Sequence, residues 1–337
     1  MAPYFFPPMW EQRRMCIGRV LYDYGAQSVL EVGCGEGNVL AYLASPAPDD
    51  RAAITRLYGV DIRKDLVDAA RARLEPDEHD YRSMRADGLR IELYHGDGSV
   101  RIGAVDADAI VCTEVIEHVD ETEGVPALTN AILGAYRPRL AVFTTPNAEF
   151  NVNFEPLNYG KPDARFRDDD HKFEWTRKQF SAWANAAAAR FGYSVELLPI
   201  GVRMRNPSPG FVSCGGCTQM AVFERTGSAA DGPLPLPLPA AVPPVLVDAI
   251  EYPTHSLLQE LVLTAARSMY SDSQSLSFQA DELWAQNKIK TQFRHRPNLN
   301  AWLLANSAGA SSTLAKNRTR SGTTYSISQE ECAAAMN

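Results

Sequence analysis

The chain has 337 residues, with 33 Lys or Arg against 41 Asp or Glu and a formal net charge of −8. That balance excludes a protein that coats long nucleic acid by neutralising phosphates, although a few local cations suffice to grip one strand end. Apolar content of 45% supports a packed core, while the scattered cysteines, the lack of a signal-peptide pattern and the absence of about 18 uninterrupted apolar residues point to a reducing, cytoplasmic setting.

In chain order, residues 9–24 predict an amphipathic helix with Ile17, Val20, Leu21 and Tyr24 on one face. Residues 28–32 form a short apolar strand that runs into a glycine-rich turn, and 38–43 begin a helix. A second strand, 57–62, carries an acid near its end and precedes a helix over 65–74. Strands follow at 91–95, 109–112 and 140–144, then a helix over 173–191 and two late strands at 193–197 and 218–223. Strands alternating with helices imply an α/β fold with a doubly wound, mostly parallel, seven-stranded Rossmann-like sheet. The two late strands, with no helix between them, suit an antiparallel last strand. Residues 227–247 contain Pro-Leu-Pro-Leu-Pro-Leu-Pro and predict a linker, 248–306 a helical extension, and 307–337, with little to bury, a disordered tail.

The turn Glu31-Val32-Gly33-Cys34-Gly35-Glu36-Gly37 lets the backbone approach a ligand without a Cβ in the way. Dinucleotide-binding folds share such a turn, so alone it is a weak signal. Here Gly33, Gly35 and Gly37 alternate, and Glu31 lies where a carboxylate can meet a cationic methionine moiety. Asp61 is placed for ribose hydroxyls and Asp97 for an adenine edge or nearby ribose. Together they predict S-adenosylmethionine bound by a methyltransferase domain over 1–226.

Thr113-Glu114-Val115-Ile116-Glu117-His118 follows the fourth strand. If it turns into a helix, Glu114, Glu117 and His118 are related as i, i+3 and i+4 and share a face. Converging carboxylates and imidazole suit a divalent cation, Mg²⁺ or Mn²⁺, and the imidazole favours a transition metal. An acidic helix start beside an ordinary histidine reads equally well from the spacing. His171, after Asp168-Asp169-Asp170, supplies a further candidate ligand, whereas the aspartates read as a solvated run or a helix cap.

Glu114-Val115-Ile116-Glu117-His118, Phe143-Thr144-Thr145-Pro146-Asn147 with Glu149-Phe150-Asn151, and Asp170-His171-Lys172-Phe173-Glu174-Trp175-Thr176 resemble the small-RNA 3′-terminal 2′-O-methyltransferase family. That family includes the plant Hua-enhancer methyltransferase and the animal enzymes that act on piRNAs. Phe6-Pro7-Pro8 with Gln12-Arg13 is similar to its leading segment, and Cys217-Thr218-Gln219 with Ala221-Val222-Phe223 to its last strand. The resemblance spans about residues 5 to 225 and leaves 226–337 uncovered. It implies that Glu114, Glu117, His118 and His171 ligate a metal that binds both hydroxyls of the terminal ribose. Ser99 after Asp97-Gly98 departs from some relatives, which leaves the adenine-side detail open.

The implied chemistry is deprotonation and alignment of a ribose 2′-hydroxyl, with His118 or His171 as the base. Phe166 between Arg165 and Arg167 is a candidate grip on the RNA end through stacking and local charge. The acidic net charge fits delivery of the RNA by an Argonaute- or Piwi-type partner to a monomeric enzyme. Cys214-Gly215-Gly216-Cys217 lacks a second pair and reads as structural, and the basic run Lys288, Lys290, Arg294 and Arg296 as a solvated helix face. A small-molecule methyltransferase of the same fold and an inactive RNA-binding subunit are the competing functions.

Overall fold

The computed structural model describes residues 5–45, 54–82, 85, 87–202, 210–226, 242–252, 254–269, 276–307, 314–319 and 322–327. In chain order the elements begin α1 (Met9–Asp23), β1 (Ser28–Val32), α2 (Asn38–Ala44), β2 (Arg56–Asp61), α3 (Lys64–Arg73), α4 (Glu78–Arg82) and β3 (Leu89–His95). Next come β4 (Ala109–Thr113), α5 (Gly124–Thr129) running into π-helical Asn130–Tyr136, β5 (Leu140–Pro146), α6 (Arg177–Phe191), β6 (Tyr193–Ile200), β7 (Thr218–Arg225) and β8 (Val245–Tyr252). The last are α7 (His255–Met269), β9 (Leu276–Gln279), α8 (Ala280–Trp284), α9 (Asn287–Phe293), α10 (Arg296–Ala305), β10 (Leu314–Thr319) and β11 (Gly322–Ile327).

Two compact units result, Met1–Leu74 with Arg90–Ile250, and Glu75–Leu89 with Glu251–Asn337. In the first, the sheet order is β6-β7-β5-β4-β1-β2-β3-β8. β3, β2, β1, β4 and β5 pair in parallel, while β7 lies antiparallel between β5 and β6. The α/β sheet expected from the alternation is therefore present, but with eight strands rather than seven. β8 straddles the boundary between the expected linker and the expected helical extension, and only Ile250 along it is buried.

β1 and β5 are buried throughout, which is why their apolar runs are unbroken. Phe143, Phe223, Phe180, Trp175 and Trp183 form the aromatic heart of this core, with Phe143 and Trp183 edge to face at 5.3 Å. α6 starts at Arg177, not at Phe173, because Thr176 closes a capping box with Gln179. Phe173-Glu174-Trp175 is thereby left outside any helix or strand, with Phe173 and Trp175 turned into the core.

The second unit packs Phe278, Phe293, Leu299, Trp302 and Tyr325 around one apolar centre. The segment expected to be a disordered tail contains β10 and β11, which form an antiparallel sheet with β9. Tyr325 and Ile327, two residues apart, both point into this core. The Pro-rich run over 227–241 lies outside the described residues, and β8 begins within the expected linker. Among the described residues no helix is long and apolar enough to cross a membrane.

Candidate active site

The carboxyl ends of β1, β2, β3 and β4 open onto one cleft of about 810 Å³, whose wall includes Gly33, Gly35, Asp61, Asp97, Glu114 and His118. Gly33, Gly35 and Gly37 have φ of 72°, 52° and 74°, the left-handed region that side chains disfavour. At Gly33 a Cβ would also lie 2.3 Å from Val115 Cγ2, so the turn and the segment after β4 pack against each other without room for a methyl group.

Asp61 organises the turn as well as facing the cleft. Its Oδ2 accepts the Gly35 N–H at 2.8 Å and its Oδ1 the Arg63 N–H at 2.9 Å. Asp97 Oδ1 accepts the Ser99 N–H at 2.8 Å, which fixes the loop after β3. Glu31 is not part of the wall; it is 3% exposed, and its Oε2 has no hydrogen-bond partner. Burial pushes its carboxyl well above the usual carboxylate range, against a backbone hydrogen bond at Leu40. A buried carboxylate in that state suits a cationic group, which would hold it ionised.

Beyond β4 the chain does not form the α-helix that would align i, i+3 and i+4. Glu114 adopts φ 52°, and a single 3-10 turn, Ile116–His118, follows. Glu117 and His118 are consequently neighbours within one turn. Ligand atoms of Glu117, His118 and His171 lie within 4.8 Å of one another, and the two imidazoles meet edge to face with centroids 4.8 Å apart.

Glu114 stands outside this group. Its carboxylate pairs with Arg13 at 3.2 Å and accepts the Thr144 hydroxyl at 2.9 Å. Of the four ligands implied by the resemblance, the structure brings three together and turns the fourth toward α1.

Glu117 is fully buried; its Oε2 accepts the Thr145 hydroxyl at 3.0 Å, and its Oε1 has no partner. Burial, and secondly the charge of Glu114, push its carboxyl well above the usual range. Burial and the neighbouring His171 lower the His118 pKa, opposed by Asp170, which lies 3.8 Å from its Nδ1. A carboxylate oxygen short of a partner beside two imidazoles, one of them biased to its neutral form, fits a divalent cation.

His171 is held by a residue that spacing does not single out. Its Nδ1 lies 2.7 Å from Glu174 Oε1, both side chains being almost completely buried. Glu174 in turn takes the Arg167 backbone N–H at 2.7 Å and the Asn151 side-chain amide at 2.5 Å. Burial alone would raise the Glu174 carboxyl, but the hydrogen bonds from His171, Arg167 and Asn151 outweigh it and leave it lowered. The motif Asp170 to Thr176 was the available signal; the depth of Glu174 was not.

Arg167 is corrected in role. Its guanidinium donates to the Asn147 and Cys217 carbonyls and to Asn151 Oδ1, which commits it to the interior. Arg165 and Phe166 are exposed. In the second unit Arg294 pairs with Glu75 and Arg296 with Asp281, as ordinary solvated ion pairs.

A family model described as a methyltransferase domain matches residues 30–136. A small RNA 2′-O-methyltransferase of Rattus norvegicus is 32% identical over 230 residues, covering 68% of this chain and 54% of the relative. The crystal structure of the methyltransferase domain of bacterial CtHen1-CN is 30% identical and covers 64% of this chain and 98% of that one, with a TM-score of 0.50. The crystal structure of the small RNA methyltransferase HEN1 is 28% identical, covering 76% of this chain and 28% of that one, with a TM-score of 0.58. The chain spans about half the length of the first curated relatives it matches.

Proposed function

This chain belongs to the small-RNA 2′-O-methyltransferase family, and on that premise we propose that it transfers a methyl group from S-adenosylmethionine to the 2′-hydroxyl of the 3′-terminal nucleotide of small RNAs, with a divalent cation. The observation that carries the cation is the convergence of Glu117, His118 and His171 around a buried carboxylate oxygen with no partner.

Glu117, His118 and His171 would hold the cation, with Glu114 as the fourth donor that the family resemblance implies. When bound, such a cation lowers the pKa of a ribose hydroxyl and fixes vicinal oxygens. Gly33 and Gly35 give the methyl donor a close backbone approach, and Asp61 and Asp97 face its polar edge. Of the two histidines His118 is the better candidate for proton acceptor, a role that would replace its bond to the cation, since a neutral imidazole has one free lone pair. His118 is the more exposed, while the Nδ1 of His171 is committed to Glu174.

A terminal ribose alone presents two vicinal hydroxyls, so a site that binds both selects the RNA end. A partner of Argonaute or Piwi type that delivers this end suits the net charge of −8, because the chain has no cationic excess for holding free RNA.

The test is methylation of a synthetic small RNA by the full chain, read as resistance of its 3′ end to periodate. Activity is expected with a 2′,3′-diol end, lost in EDTA and restored by Mn²⁺ or Mg²⁺. Methylation that survives chelation overturns the cation's role. Methylation of internal riboses overturns the terminal assignment, and transfer only to small molecules favours the competing methyltransferase function.

A further inference from the structure

Every acceptor around Glu174 is met by a donor whose identity is fixed by its neighbours. The Arg167 backbone N–H can only donate, and it reaches Glu174 Oε1. Asn151 has its amide orientation set by Arg167 Nε, which donates to Asn151 Oδ1 at 2.6 Å; its Nδ2 is thereby the atom turned to Glu174 Oε2. The Arg167 guanidinium is itself held by the Asn147 and Cys217 carbonyls. Glu174 therefore serves as an acceptor on both oxygens, and the remaining contact, His171 Nδ1 at 2.7 Å, must be a donation from the ring.

From this chain of bonds we propose that Glu174 is a positioning residue: it fixes His171 in the tautomer protonated on Nδ1 and leaves Nε2 as the only ring nitrogen able to ligate the cation. The inference rests on the cation-binding function proposed above and adds to it a residue that touches neither cation nor RNA. Its logic is general, since a ligating imidazole that donates its other N–H to a carboxylate is fixed in both tautomer and orientation. Burial strengthens the effect: Glu174 and His171 have side-chain exposures of 1% and 7%, so water does not compete for the bond. The Lys172 N–H donates to the Glu117 carbonyl at 2.8 Å, so the histidine's orientation is set on backbone already tied to the other ligands.

Two measurements test it on the full chain. The first needs no metal: ¹⁵N imidazole spectra of the metal-free protein, with the His171 signals assigned by their loss in His171→Ala. A proton on Nδ1 is expected, and a ring whose single proton sits on Nε2 overturns the proposal. The second is Mn²⁺ affinity by electron paramagnetic resonance for the wild type, Glu174→Gln and the double variant Glu174→Gln/Asn151→Asp. Glu174→Gln sets its amide N–H₂ against that of Asn151 and should weaken Mn²⁺ binding by about 10- to 100-fold. In the double variant the new amide donates to the new carboxylate, which still accepts from Arg167, so the Nδ1–H tautomer and most of the affinity should return. Glu174→Gln binding Mn²⁺ as the wild type does overturns the positioning role and leaves the cation site standing. A wild type that binds no Mn²⁺ overturns the cation site itself.

Discussion

Lys172 donates its backbone N–H to the Glu117 carbonyl at 2.8 Å, which joins the loop before α6 to the turn after β4. Two segments more than fifty residues apart in sequence thus share a hydrogen bond at the point where their ligand candidates meet. The Lys172 side chain is exposed and takes no part in that bond. Lys172→Pro removes the donor and should weaken Mn²⁺ binding by about 10-fold or more, given roughly 1–3 kcal/mol for a buried carbonyl left unmade. Lys172→Ala should bind as the wild type does. Equal affinity for both variants in a metal titration would contradict the coupling.

Glu117→Gln should act with opposite signs on stability and on binding. Without metal, replacing a buried carboxylate that has a partnerless oxygen with a neutral amide should leave the Tm unchanged or higher. With Mn²⁺ at 100 times its Kd, the wild type gains about 2.7 kcal/mol from ligation and the variant gains nothing. Thermal scans with and without Mn²⁺ read both effects. A variant that is less stable than the wild type in EDTA would count against the cost assigned to this carboxylate.

At Gly33 a methyl group meets two separate obstacles, Val115 Cγ2 at 2.3 Å and a φ of 72°. Gly33→Ala is expected to cost about 1–3 kcal/mol in urea unfolding and to weaken binding of the methyl donor. Adding Val115→Ala removes the steric share and leaves the backbone share. A double variant as unstable as the single would place the entire cost in φ.

Burial, then the charge of His171, lower the His118 pKa below its ordinary 6.5, and Asp170 opposes them. A depressed folded-state pKa means that the unfolded chain takes up the proton first as the pH falls. The stability from neutral His118 is therefore full above 6.5 and is lost as the pH drops through the depressed value. An NMR titration of the metal-free protein should place the His118 midpoint below 6.5, and lower still in Asp170→Asn. A midpoint that rises in that variant would reverse the assigned sign.

The parallel strands were legible because strands buried on both faces read as unbroken apolar runs, as in Leu140-Ala141-Val142-Phe143. Glu117, His118 and His171 were legible as residue types, but not in their arrangement. The spacing suggested one helix face, whereas a left-handed Glu114, an uncommon conformation for any side chain, starts a 3-10 turn and sends its carboxylate to Arg13. Glu174 stood out only as part of the Asp170–Thr176 motif and Arg167 only as a flank of the candidate RNA grip, because their hydrogen-bond partners, Asn151 and the Asn147 and Cys217 carbonyls, are distant in sequence. In β11 the inward pair Tyr325 and Ile327 is masked by the Ser and Thr around it, a composition that reads as disorder.

Tyr81 is buried with Leu258, Phe293 and Trp302 and donates its hydroxyl to the Gln292 carbonyl at 3.0 Å. The ribosome completes residues 75–89 long before it reaches 251, so this segment emerges without the rest of its unit. The order of synthesis therefore separates the two folding events. β1 through β7 can assemble as they emerge, while the Tyr81 ring waits, exposed to solvent and to chaperones, until the last strands are released. A chain ended at 226 would keep it waiting permanently.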